Sequence, residues 1–493
     1  MYQINKIRVR SFILAIFGFF GCSNDNSDVD EPSTILVTSI TISGNTISDG
    51  TTSQLTAQVS PSNASNSNVS WSVSNTAVAT ISTSGILTAV TNGQVIVTAS
   101  ALDGSGIVAD KNYIISGVNT IDGTVAATSQ EILTAIANAS AGETIYVRGG
   151  NYTFTAPILM TANGTNGNPI SLLAYPTDPN RPKFDFSSMS ESSSNRGIEL
   201  SGDYWHIQGI DVFGAGDNGM HITGDNNLIE FCTFSQNRDT GLQIDGGAAN
   251  NTILNCDSYF NADSTLENAD GFACKLTAGS GNKFIGCRAW QNLDDGWDGY
   301  LRDTDNITTY YENCWAFKNG YLMNGTAGVG DGNGFKTGGS DDKTLKHNAV
   351  YKNCIAAGNR VDGFDHNSNR GDIELYNCAA YDNGRNISFS NTNSANSLLI
   401  KNSLSFAGTN NDSFSANTTD ITNNGWQGGI VTNASDFVSI NVELLAAARN
   451  EDGSLPTIDF LKLVAGSDLI DAGIDVGLPF NGTAPDLGAF EYE

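Results

Sequence analysis

Basic residues are scarce in this chain. Lys and Arg number 24 against 52 Asp and Glu, which leaves a net charge of −28. A nucleic-acid partner needs basic patches, and this balance argues against one. It also disfavours electrostatic capture of an acidic ligand, unless a cation mediates. Charged residues make up only 15% of the sequence and prolines number 10, whereas glycines number 53. That is a turn-rich β composition with neither collagen-like nor disordered bias. The apolar run from Phe12 to Phe20 is too short to span a bilayer as a helix.

That run follows Lys6, Arg8 and Arg10, the order of a signal peptide. It closes on Phe19-Phe20-Gly21-Cys22, which resembles a bacterial lipoprotein box. The resemblance implies that residues 1–22 are a lipoprotein signal with Cys22 as the lipidated residue, and that the polar, acidic 23–33 are a tether. The expected location is extracytoplasmic, anchored at the outer membrane or cell surface, or otherwise secreted. A membrane enters only through that anchor.

Residues 34–117 read as a separate unit. "ILVTSITIS", "TSQLTAQVS", "VSWSVSN", "VATIST" and "QVIVTASA" alternate apolar and polar at period two, with turn clusters between them. About seven short strands around Trp71 predict a small β-sandwich, and no cysteine pair pins it. The stretch from Trp71 to Ala101 resembles the bacterial Ig-like group 2 module, which implies a spacer or adhesive role.

The remainder, 118–493, opens with a short helical pattern in which Ser129 would be the N-cap and Ile132, Leu133 and Ile136 would share one face. Such a helix suits the open end of a solenoid. From about residue 200 the chain repeats itself. Cys232, Cys256, Cys287, Cys314, Cys354 and Cys378 are each followed five residues later by an asparagine. Successive cysteines lie 24, 31, 27, 40 and 24 residues apart. A strand-and-turn phrase with variable insertions predicts a parallel β-helix, all-β throughout, with equivalent residues about 4.8 Å apart on adjacent coils. The asparagines would form a side-chain ladder at one bend, a residue type that tolerates the left-handed backbone of a sharp turn. The cysteines, one per coil, read as a buried stack of small side chains rather than a disulfide or zinc framework.

A second landmark is a glycine followed by an apolar residue, in "TGLQI", "DGFAC", "DGWDG", "NGFKT" and "DGFDH". The slot before the glycine holds Thr240, Asp270, Asp295, Asn333 and Asp362. The slot two after it holds Gln243, Ala273, Asp298, Lys336 and Asp365. Asp270 and Asp295 therefore stack on adjacent coils, flanked by Asp294 and Asp298. Four carboxylates on one patch repel one another unless a cation neutralises them. A hard divalent ion with oxygen ligands, Ca²⁺, fits; zinc does not, since no His or Cys joins the cluster. Lys336 stands in the Asp298 slot one coil on, and reads as either a salt-bridge partner or a general base. As a base, burial and the adjacent cation would lower its pKa. The insertion "GYLMNGTAGVGDG" before it would form a groove wall. Calcium beside a lysine base suits abstraction of the C5 proton of a uronate polymer followed by β-elimination.

At these residues, "ENADGFACKLTAGSGNKFIGCRAWQNLDDGWDGYL" and "GNGFKTGG" resemble polysaccharide lyase family 9, the calcium-dependent pectate lyases on a right-handed parallel β-helix. The resemblance runs from roughly 125 to 490, with "GSDLIDAG…APDLGAFE" similar to the closing coils of such helices. It implies Asp270, Asp294, Asp295 and Asp298 as calcium ligands, Lys336 as catalytic base, and an acidic plant polysaccharide, pectate, as the partner of a monomeric enzyme. Arg302, Lys275, Asp365 and His366 lie near the expected groove as candidate substrate contacts. Two other readings stand beside the lyase: a glycoside hydrolase of polygalacturonase type on the same fold, using paired carboxylates, and a non-catalytic calcium-binding surface adhesin.

Overall fold

A computed structural model describes residues 34–118 and 121–493; the expected lipoprotein signal with Cys22 and the expected tether lie outside the described residues. The chain divides into two compact units, parted between Ile121 and Asp122.

The first unit is antiparallel. Eight strands stand where about seven were expected, because "TSQLTAQVS" splits into Thr52–Gln54 and Thr56–Ser60. The former pairs with Ile86–Ala89 and the latter with Ser39–Ser43, so the chain changes sheet at Leu55, which is buried. Leu55, Leu87, Val95, Val97 and Tyr113 fill the core, with Trp71 packed at its margin.

The second unit is a solenoid of three parallel sheets of 12, 10 and 10 strands, each joining the same face of successive coils. The first runs from Thr124–Ala126 to Ala416–Thr422, the second from Gly150–Thr153 to Leu404–Phe406, and the third from Ile158–Met160 to Ser413–Phe414. No coil can bury its apolar residues alone; stacking makes one continuous core from Ala126 to Ile400. The helix Ser129–Asn138 closes the first coils, with Ile132 and Ile136 buried. Its N-cap is Thr128, whose hydroxyl accepts from Glu131 N, and not Ser129; Leu133 faces solvent.

The bend between the second and third sheets carries the asparagine ladder. Amide Nδ2 groups donate to the next Oδ1 from Asn237 to Asn261, Asn292, Asn319, Asn359 and Asn383, at 2.9, 2.8, 3.1, 2.9 and 2.9 Å. Each Oδ1 also accepts from the preceding coil's backbone N–H. The left-handed residue is not the asparagine, as expected from its tolerance, but the one before it: Gln236, Phe260, Gln291, Lys318, Gly358 and Asp382 all have φ between 49° and 63°. For a side chain larger than glycine this costs roughly 1–2 kcal/mol. Asparagine is there for its amide and not for its backbone.

The glycine landmark is the other half of the same contact. A Cβ on Gly271, Gly296 or Gly334 would sit 2.7–2.8 Å from Nδ2 of Asn292, Asn319 or Asn359 on the next coil. Only glycine lets the amide lie over the strand. The six ladder-associated cysteines and Cys274 are free and buried.

The closing segment does not add coils. Beyond Trp426, which stacks on Phe414 of the third sheet, it lies along the outer face of the second sheet, where Phe437, Leu445, Phe460, Leu463 and Leu487 cover Trp315, Phe317, Ile355 and Tyr381. Arg449 from this strap and Arg288 both grip Asp257, at 2.7 and 2.8 Å.

Candidate active site

The third sheet alternates inward and outward residues, and that alternation builds the site. Phe272, Trp297, Phe335 and Phe364 point inward and stack with ring centroids 5.1, 4.8 and 5.0 Å apart. Their neighbours Ala273, Asp298, Lys336 and Asp365 pair directly across the sheet and take the opposite face. Gly271 N donates to Asp295 O and Gly296 N to Asn333 O, so Asp270, Asp295 and Asn333 occupy one slot on consecutive coils. A groove of about 750 Å³ runs over this face, with Lys275, Asp294, Asp298, Tyr300 and Lys336 in its wall.

Asp270, Asp294 and Asp295 each offer an oxygen within 4.8 Å of the others, and all three are buried. Backbone and hydroxyl donors hold them in place. Asp270 accepts from Asp295 N and Thr240 Oγ1, Asp295 from Asn333 N at 2.8 Å, and Asp294 from Asp331 N. Asp295 Oδ2 is buried and accepts no hydrogen bond of good geometry; the ammonium of Lys336 lies 3.2 Å from it. Burial and mutual repulsion favour the protonated forms. The Asp294 carboxyl is pushed up to about 8 by burial and then by Asp270; Asp295 goes well above the ordinary range for burial and Asp294. Burial takes Asp270 to about 6 despite Lys275.

Asp298 stands apart from the trio. It lies between two ammonium groups, 3.4 Å from Lys275 Nζ and 3.8 Å from Lys336 Nζ. Burial pushes its carboxyl up, but Lys336 and Lys275 outweigh burial and hold it below the ordinary value. Lys275 also donates to Asp270 Oδ2 at 2.7 Å. Lys336 reaches Asp331 Oδ2 at 2.9 Å and Asp295 Oδ2 at 3.2 Å. Burial alone would lower its pKa, as expected from sequence. Asp298, Asp295, Asp331 and Asp294 reverse that and hold the ammonium well above its ordinary value. The surrounding carboxylates favour the ammonium form of Lys336, and neutralising them would favour the free amine.

Of the four candidate substrate contacts, Lys275 is drawn into the cluster, and Arg302 rims the groove 3.7 Å from Asp341 with both side chains exposed. Asp365 follows Lys336 in the same slot but does not line the groove; burial and then Asp362 push it up to about 7. His366 is not available to a substrate. Period two turns it away from the Asp365 face, and Nε2 bonds the carbonyls of Asn369 and Asn393 at 3.0 Å. Sequence reasoning missed Asp331, which the insertion folds back onto Asp294 and Lys336; an Asp-Gly pair in a loop reads as an ordinary turn.

The family model described as "Pel9A-like, right handed beta helix region" matches residues 112–411, and that of the bacterial Ig-like domain (group 2) matches 36–111. The chain belongs to the Pel9A-like right-handed β-helix family. As a member it is a polysaccharide lyase. The lyase is 40% identical over 413 residues to pectate lyase L of Paenibacillus polymyxa, covering 79% of this chain and 89% of that protein. It is 37% identical to pectate lyase L of Dickeya chrysanthemi, covering 78% and 92%. The crystal structure of pectate lyase Pel9A superposes with a TM-score of 0.66 at 36% identity, over 73% of the lyase and 90% of that chain.

Proposed function

We propose that the lyase cleaves pectate, an α-1,4-galacturonan, by calcium-dependent β-elimination with Lys336 as general base. The observation that carries this reading is the buried trio Asp270, Asp294 and Asp295, with oxygens within 4.8 Å, beside a buried lysine in one groove. Two relatives that carry the name pectate lyase L support the substrate. The residues fit Ca²⁺: an all-oxygen donor set, carboxylates that cannot all ionise unaided, and an Asp295 Oδ2 that accepts no hydrogen bond and has the Lys336 ammonium 3.2 Å away. Asp270, Asp294 and Asp295 would hold it, with Asp298 beside them as the fourth ligand that the family resemblance implies. Bound calcium would neutralise the substrate carboxylate and stabilise the enolate-like charge that develops at C5.

The chain's own residues do the rest. Asp295 and Asp331 fix Lys336 Nζ at the groove floor; once the carboxylates around it are neutralised the ammonium gives a proton to solvent, and the neutral amine accepts the C5 proton. The C–H electron pair becomes the C4=C5 double bond, the C4–O bond breaks, and the departing oxygen takes a proton from water. Lys336 then returns its proton to solvent. In the same proposal the lyase works outside the cytoplasm, lipid-anchored through Cys22 and with the Ig-like unit as spacer. Loss of metabolic lipid labelling in Cys22→Ser checks the anchor.

The test is absorbance of the unsaturated uronide on polygalacturonate, with chelator and after calcium is restored. Activity should vanish in chelator and return with calcium. Full turnover in excess chelator overturns the metal's role. New reducing ends without the absorbance favour the hydrolase.

A further inference from the structure

We propose that Arg238, with Arg196 and the amides of Asn218 and Gln243, forms a carboxylate-binding subsite for a uronate unit on the N-terminal-coil side of the cleavage point. It rests on the pectate reading and deepens it.

The groove reaches well beyond the acidic trio. Its lining includes Arg196, Asn218, Arg238 and Gln243 at one end and Lys336 at the other. The strands Ile198–Leu200, Met220–Ile222, Leu242–Ile244, Phe272–Cys274, Trp297–Asp298 and Phe335–Lys336 are successive neighbours in the third sheet. Five inter-strand spacings make that about 24 Å, room for several sugar rings. The slot that holds Asp270 and Asp295 holds Thr240, Asn218 and Arg196 on the three preceding coils, since Gly241 N, Gly219 N and Gly197 N donate to the carbonyls of Asp270, Thr240 and Asn218. The same column thus changes from acid to neutral amide to arginine along the groove.

The acids at this end are already engaged. Glu191 accepts from Ser264 N and Oγ, Asp263 from Glu267 N and Asn268 N, Asp239 from Thr240 N, and Asp217 pairs with Arg196 at 3.2 Å. Arg302 has Asp341. Arg238 is exposed, and among the described residues its guanidinium has no ion-pair or hydrogen-bond partner. Beside it, Asn218 and Gln243 are 2% and 5% exposed. Their mutual contact and that of Gln243 with Asp245 are both 3.5 Å, the outer limit of a hydrogen bond. Two nearly buried amides with slack bonds and a free guanidinium face one groove. A guanidinium grips a carboxylate in a bidentate fork, and amides suit sugar hydroxyls. In a chain of net charge −28, a polyanion needs such local positive footholds.

The experiment is calorimetric titration of galacturonate oligomers in chelator, which stops turnover, into wild type, Arg238→Gln and Arg238→Lys. Melting temperature monitors the fold. Oligomers long enough to reach the Arg238 coil should bind Arg238→Gln about tenfold or more weakly than wild type, since hydrogen bonds to charged groups are worth about that much. The deficit should shrink on oligomers too short to reach it, and Arg238→Lys should recover part of it. Equal binding by wild type and Arg238→Gln overturns the subsite, as does an equal deficit on short and long oligomers. So does equally tight binding of a neutral glucan. Arg238-dependent binding without any unsaturated product in calcium upholds the subsite and sinks the cleavage reading. Product formation with Arg238-independent binding does the reverse.

Discussion

The asparagine column and the acidic column run along the same coils, one at the bend before the third sheet and the other where that sheet begins, and they could hardly differ more. From Asn237 to Asn383 the ladder keeps one residue type, one bond pattern and lengths of 2.8–3.1 Å. The slots beside it run Thr240, Asp270, Asp295, Asn333, Asp362 and Gln243, Ala273, Asp298, Lys336, Asp365, different on nearly every coil. Uniform columns are satisfied by their own neighbours and need nothing from outside. The acidic slots leave Asp295 Oδ2 without a hydrogen bond and carboxyls raised to about 6 and about 8. Where a solenoid breaks its own repeat with charge, it holds energy for a ligand.

The sharpest way to break this contrast is at Lys336. Lys336→Ala should lower kcat by roughly 10²–10⁴-fold, the usual worth of a general base, and Lys336→Arg should fail nearly as badly because a guanidinium stays protonated. Retention of more than about a tenth of the wild-type rate would make the lysine a salt-bridge partner only. Next is Asp295→Asn. Outer-shell changes alone cost about 10–100-fold in metal affinity, so loss of this buried carboxylate should raise the half-saturating calcium concentration at least that much. Terbium luminescence reads this without turnover.

An acid outside the groove gives the control. Burial pushes Asp257 up, but Arg288 and Arg449 outweigh it and its folded value lies below the ordinary one. The folded state therefore binds fewer protons there than the unfolded chain. That stabilisation is present above the unfolded value of about 4 and is lost as pH falls through the lower folded value. Asp257→Asn leaves Arg288 and Arg449 without their carboxylate. It should cost about 3–5 kcal/mol at neutral pH, and the deficit relative to wild type should narrow on acidification; denaturant melts at several pH values measure both.

In the ladder itself, Asn237→Ala strips the acceptor from Ala215 N and should cost about 1–3 kcal/mol, read as a lower melting temperature with calcium affinity unmoved. A changed calcium affinity would mean that the two columns are coupled. The smallest effect is expected from deleting 34–117, which contributes no site residue: rates on soluble polygalacturonate should stay within a few-fold.

The coil repeat was legible in the sequence because cysteine, asparagine and glycine mark it independently. The stacking of Asp270 on Asp295, and of Asp298 on Lys336, follows from those marks alone. What escaped lies where no repeat speaks. Asp331 sits in an insertion whose path only folding fixes. Lys275 is two residues past Ala273, and nothing in its spacing says that it turns back to Asp270. The closing segment carries no cysteine or asparagine mark, so its place on the outer face of the second sheet rather than in further coils could not be read. Thr128 and Ser129 are both cap residues by type, Ser the better of the two; the backbone chose Thr128.

The close approach of each ladder amide to a glycine on the preceding coil has a consequence for how such a protein can change. The 40-residue step from Asn319 to Asn359 keeps the same 2.9 Å bond as the 24-residue step from Asn237 to Asn261. Chain inserted between the landmarks loops out without disturbing the pitch. The spine and the groove wall are thus separately editable. Loops can be grafted, lengthened or exchanged between coils to redraw which polymer the groove admits, while the vertebrae beneath go on stacking as before.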